Sequence, residues 1–147
     1  MRNDYLNVPI PILVYSIRSG RYREIAVWLL LKFITDGHFH MNHRIAKAIQ
    51  GVLEIKSRQT VTKYIKWLLK KGFLTYNGKR SEYHIISLKQ ASKRLDKRTY
   101  IGLVIYPSDL KEFELYAFSA VIKNIVRRGR KKAKQSGFFM GKPSREL

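Results

Sequence analysis

The chain of 147 residues carries 30 lysines and arginines against 10 acids, a formal charge of +20 with an isoelectric point near 10.4. That excess lies far beyond what solubility requires and points to an anionic partner, nucleic acid or an acidic membrane surface. With 45% hydrophobic residues the chain can bury one good core, which excludes a disordered, tail-like protein, and the absence of cysteine removes disulfides, thiolate zinc sites and thiol catalysis together. The longest apolar run, Ile25 to Leu31, is far shorter than the roughly 18 residues that indicate a membrane span, and the N-terminus lacks the layout of a signal peptide. A cytoplasmic protein is therefore expected.

Taken in order, Val8 to Ser16 reads as an extended segment, because most of its apolar residues are β-branched or aromatic and Pro9 and Pro11 oppose a helix interior. The prolines would confine it to a sheet edge. Ser19 or Gly20 then starts a helix reaching about Thr35, with Ile25, Trp28, Leu29, Leu31 and Ile34 giving apolar cover on more than one side. Such a helix belongs at the centre of a core. Asp36-Gly37 ends it, His38 to Met41 leaves room for a short strand, and Asn42 caps a further helix whose inward face is Ile45, Ala46, Ile49, Val52 and Leu53.

The segment from Ser57 to Leu74, SRQTVTKYIKWLLKKGFL, is the most informative. Val61, Ile65, Leu68 and Leu69 recur at steps of three and four, one stripe of a helix. Ser57 suits an N-cap and Gly72 a left-handed C-cap. Between the apolar positions lie Arg58, Gln59, Thr62, Lys63, Lys66 and Lys70, and the stretch from Ile55 to Ser81 holds eight lysines and arginines with no acid. Solvated faces usually mix signs, so a single-sign face suits a polyanion. Phe73 to Tyr76 and Ser81 to Leu88 then read as two strands of a hairpin signalled by Asn77-Gly78, with Lys79 and Arg80 at its tip.

S-R-Q-T-V, an amphipathic helix ending K-K-G-F-L-T, a turn and then Y-H-I resemble the recognition helix and wing of winged helix-turn-helix DNA-binding domains, of the kind found in small prokaryotic or mobile-element regulators. The resemblance covers residues 21–88. It implies an α+β, mainly helical fold: a winged helix-turn-helix with an additional C-terminal strand and long helix. Residues 1–20 would form an N-terminal extended edge strand, 89–128 a linker, strand and long packing or dimerisation helix, and 129–147 a basic flexible tail. Relative to the shortest helix-turn-helix units there is about one extra turn before Ser57, with Ile55 where a small apolar residue usually plugs the turn.

After Leu88 the segment KQASKRLDKRT reads as a linker or exposed helix, and Tyr100 to Tyr106 as a strand closed by Pro107. Ser108 and Asp109 start a long helix with a stripe of Leu110, Phe113, Ala117, Ala120, Val121 and Ile125 and acids only in its first turns. An internal echo sets Ile10, Ile12, Val14, Ala26, Lys32 and Ile34 against Ile101, Leu103, Ile105, Ala117, Lys123 and Ile125 at a shift of 91 positions. If the echo is structural, the two extended segments pair and the two helices pack about a pseudo-twofold, since each strand otherwise leaves an open edge.

Arginine and glutamine match guanine and adenine edges in the major groove, whereas lysine suits phosphate. The resemblance therefore implies base reading by Arg58, Gln59 and Thr62, base or phosphate contacts by Lys63 and Lys66, a phosphate contact by Thr60, and backbone or minor-groove contact by Lys79 and Arg80 on the wing. Arg127, Arg128, Arg130, Lys131, Lys132 and Lys134 form a basic tail suited to nucleic acid. His38, His40 and His43 spell H-x-H-x-x-H with Asp36 nearby, but no further acid or cysteine cluster accompanies them; no metal and no cofactor is expected. Trp28 and Trp67 read as core or core-rim residues. No nucleophile elbow, phosphate loop or carboxylate cluster is present, so the chain is not read as an enzyme.

Sequence-specific binding of double-stranded DNA in transcriptional regulation is the leading expectation, with homodimerisation through the helix after Ser108. A plasmid or phage replication-initiator role is the first alternative, motivated by the echo, and a non-specific RNA-binding or nucleoprotein component is the second.

Overall fold

The computed structural model describes residues 4–96 and 102–135, with the side chains of Arg128 and of residues 130–135 excepted. The fold is α+β and mainly helical. In chain order it comprises β1 (Leu6–Pro9), α1 (Ile10–Arg18), α2 (Tyr22–Ile34), β2 (His38–Phe39), α3 (His43–Leu53), α4 (Arg58–Lys70), β3 (Leu74–Asn77), β4 (Glu82–Ile85), α5 (Leu88–Leu95), β5 (Gly102–Ile105), a 3-10 turn (Pro107–Glu112) and α6 (Phe113–Gln135).

Helix α2 is the hub. Every side chain from Glu24 to Leu31 is buried, and Glu24, the one acid among them, pairs with Arg21 at 2.9 Å. A helix apolar on all sides must be covered on all sides, and α1, α3, α4, α6 and the 3-10 turn all lie against it. Strands β2, β4 and β3 form an antiparallel sheet in that order, with Phe39 opposite Tyr83 and Tyr83 opposite Tyr76. Lys32 of α2 donates from Nζ to the Ile86 carbonyl at 3.1 Å, and partial burial lowers its pKa below the ordinary lysine value.

The first segment departs from expectation. Only Leu6–Pro9 is extended, and Ile10–Arg18 is helical, with Pro9 at the N-cap and Pro11 in the first turn. Prolines there cost nothing, because first-turn amides have no intrahelical acceptor and the fixed φ already suits a helix. The echo fails with it. Ile10, Ile12 and Val14 lie in α1, whereas Leu103 and Ile105 lie in β5. The extended segments do pair, antiparallel, but with Leu6 opposite Ile105 and Val8 opposite Leu103.

In the C-terminal part, residues 88–95 take the second of their two readings and form α5, a helix that buries Ala91 and Ser92. The long helix begins with a 3-10 turn, in which Asp109 accepts from the Tyr106 backbone N–H at 2.8 Å. It continues through Gly129 to Gln135, since the surrounding arginines and lysines are good helix formers. Of its expected stripe, Leu110, Phe113, Ala117 and Ala120 are buried within the chain, Val121 is half-buried and Ile125 is exposed. Residues 136–147, the end of the expected basic tail, lie outside the described residues.

Candidate nucleic-acid interface

Helix α4 follows the cues in its sequence. Ser57 Oγ accepts from the Gln59 amide at 3.1 Å, and Val61, Ile65 and Leu68 are buried. At the other end Phe73 N–H donates to the Leu68 carbonyl and Gly72 N–H to the Leu69 carbonyl, with Gly72 at φ 82°, a Schellman turn. Arg94 closes it from α5 by donating to the Gly72 carbonyl at 2.8 Å. Trp67 and Phe73 stack with centroids 6.0 Å apart, Phe73 meets the fully buried Trp28 edge-on at 5.1 Å, and Arg21 lies over Trp67 at 5.4 Å. This aromatic cluster fixes the angle of α4 against α2.

With Val61, Ile65 and Leu68 turned inward, helical geometry places Arg58, Thr62 and Lys66, four residues apart, on the outer side with Gln59 and Lys63 beside them. All five are exposed. Thr62 donates its hydroxyl to the Arg58 carbonyl at 3.1 Å, which leaves its methyl and oxygen lone pairs facing outward. Thr60 is separated from this group: it is half-buried and, with Tyr22, Arg23 and Tyr64, lines a cleft of about 560 Å³ between α4 and the start of α6.

The approach to α4 is rigidly built. Asn42 Oδ1 caps α3 by accepting from the Ile45 amide at 2.9 Å, and α3 ends with Glu54 in the left-handed region at φ 55°. Ile55, half-buried, donates its amide to the Gln50 carbonyl, while the Gln50 side chain donates to the Lys56 carbonyl at 3.2 Å.

One Schellman turn separates α4 from the hairpin. Its loop spans four residues, 78–81, rather than the two-residue turn that Asn-Gly favours: Asn77 Oδ1 accepts from the Lys79 amide at 3.1 Å, and Ser81, not Gly78, takes positive φ. Lys79 and Arg80 are exposed at the tip. Among the described residues, no ion pair engages Arg58, Lys63, Lys66, Lys79 or Arg80. Their charge is directed to solvent. Arg127 is exposed on α6; Arg128, Arg130, Lys131, Lys132 and Lys134 lie on the same helix, with side chains outside the described residues.

The histidines group differently from the sequence motif. His43 opens α3, whereas His38 and His40 share the outer face of the sheet with His84, which lies 3.1 Å from Glu82. His40 lies 3.7 Å from the other oxygen of Glu82, and the rings of His38 and His84 are 5.8 Å apart. Cross-strand register created this grouping, so no local spacing could reveal it. No group of three or more acid, histidine or cysteine side chains among the described residues is arranged to hold a metal ion. No helix among them is long and apolar enough to cross a membrane.

Comparison with known proteins finds no matching family model, no similar curated protein and no similar solved structure.

Proposed function

We propose that this protein binds double-stranded DNA sequence-specifically through a winged helix-turn-helix unit spanning residues 21–88, and acts in transcriptional regulation in the cytoplasm. One observation carries the reading: a capped helix presents Arg58, Gln59, Thr62, Lys63 and Lys66 together on its exposed side, and a hairpin tipped by Lys79 and Arg80 follows at once. In this reading the lysines neutralise phosphates and release counterions, which holds the domain on the duplex, while Arg58, Gln59 and Thr62 test base edges in the major groove. Lys79 and Arg80 lie along the backbone or in the minor groove, and the basic end of α6 adds phosphate contacts. Thr60, facing the cleft, takes no part. Two copies associate through α6, so that two α4 helices meet two half-sites.

Selection of bound duplexes from a random pool tests this directly. The selected duplex, a scrambled duplex and a structured RNA are then compared at one salt concentration. The expected result is a selected duplex bound at least about 10³-fold more tightly than the scrambled one. Equal binding to all three, or a preference for the RNA, would replace the proposal with a charge-driven nucleoprotein role.

A further inference from the structure

Helix α6 has two apolar faces. Phe113, Ala117 and Ala120 are buried against the chain's own core, while Leu115, Phe118, Ile122 and Ile125 stand exposed, by 66%, 53%, 44% and 62% respectively. Their steps of three, four and three are those of a coiled-coil seam. Large apolar groups repeated on one strip of so charged a surface mark an interaction site rather than scattered exposure.

Charge along the helix selects the occupant and its direction. Glu112 and Glu114 are exposed at the start of the helical region; Lys123 and Arg127 are exposed toward its end. A second copy laid parallel would set Lys123 against Lys123 and Arg127 against Arg127, in a chain already carrying +20. Laid antiparallel, it sets the Glu114 end of each copy against the Arg127 end of the other and opposes the two helix dipoles favourably. The charges choose the direction, and the apolar spacing is self-complementary in it. Leu115 faces Ile125 of the second copy and Phe118 faces its Ile122, about a twofold axis crossing α6 near Ala120.

We infer that the exposed face of α6 pairs antiparallel with the same face of a second copy, centred near Ala120. This deepens the pairing proposed above and does not depend on which nucleic acid is bound.

The chain has no cysteine, so full-length Leu115→Cys and Ile125→Cys variants carry one thiol each. In the antiparallel register the two Leu115 positions are about 15 Å apart along the helix axis, too far for a disulfide, whereas Leu115 meets Ile125. The expected result is that an equal mixture of the two variants, oxidised, yields the mixed Leu115–Ile125 cross-linked species, while each variant alone yields little. Sedimentation should give the wild type twice the mass of one chain and Phe118→Glu the mass of one; because Phe118 is exposed the variant stays folded and melts cooperatively at a temperature independent of concentration, whereas the melting of the wild type rises with concentration. Self-cross-linking of Leu115→Cys alone would overturn the antiparallel direction and leave the pairing standing. A monomeric wild type with no cross-link in any mixture would overturn the second copy itself, while the duplex-selection experiment judges DNA binding separately.

Discussion

Replacing Lys63, Lys66 and Lys79 together by alanine should flatten the salt dependence of duplex binding by a calculable amount. All three are exposed, and none is ion-paired to a described residue; no internal partner has to be left behind when the charge is removed. Each phosphate contact contributes about 0.9 to the slope of log K against log salt, so losing three lowers it by about 2.7. Between about 50 mM and about 200 mM salt, the wild type should therefore lose roughly 40-fold more affinity than the variant. Exposed substitutions of this kind change folding stability by only about 0.5 kcal/mol or less, which thermal melting checks. Fluorescence anisotropy on one selected duplex across a salt series measures the slope. A folded variant with the wild-type slope would refute the idea that this face and the hairpin tip neutralise phosphates.

Arg58→Ala should weaken the selected duplex by about 1–3 kcal/mol and relax base preference, whereas Lys79→Ala should weaken all sequences alike; a uniform loss from both, measured on a panel of single-base variants, would remove base reading from Arg58. Gly72→Ala should cost about 1–2 kcal/mol in urea unfolding, because Gly72 sits at φ 82° and an added Cβ would lie 2.8 Å from Arg94 Nη1. A loss below about 0.5 kcal/mol would mean that the turn after α4 does not need that conformation. Burial, helped by the charges of Asp109 and Tyr106, raises the Tyr116 pKa above its ordinary value, and its hydroxyl donates to the Val104 carbonyl. A group whose folded pKa is raised contributes fully below its unfolded pKa and loses that contribution as pH rises through the folded value. The stability advantage of wild type over Tyr116→Phe should thus be constant up to about pH 10 and shrink above it; an advantage that grows with pH would contradict the burial of that hydroxyl.

The parts of the fold set by local chemistry were readable in advance. Ser57, Gly72 and Asn42 cap where their side chains or backbone freedom suit the ends of α4 and α3, and the buried positions of α4 follow its three-and-four spacing. Helix α1 was not readable, because Pro9 and Pro11 look alike at a sheet edge and in a helix's first turn, and an apolar run around them carries no decisive period. Helix α5 was legible only as one of two readings, because its inward line is no more than Leu88, Ala91 and Leu95 in a segment otherwise polar and basic. On α6 the spacing alone reads as one stripe through to Ile125; the helix carries two, and Ile125 belongs to the outer one. For the candidate interface, residue type and helical spacing were enough to assemble the α4 face, whereas the separation of Thr60 into a cleft needed the position of α6.

The hairpin is anchored where it leaves the body. Ile86 donates its amide to the Phe73 carbonyl and accepts the ammonium of Lys32, while the carbonyl of Gly72 is held by Arg94. An arm clamped at its base meets a ligand at one preset inclination, so the freedom it must surrender on docking is concentrated in the four residues of its far end. Changes of length or sequence confined to that end would alter reach without re-aiming the arm, whereas a change at Lys32, in the last turn of the central helix, would release the Ile86 carbonyl at its base.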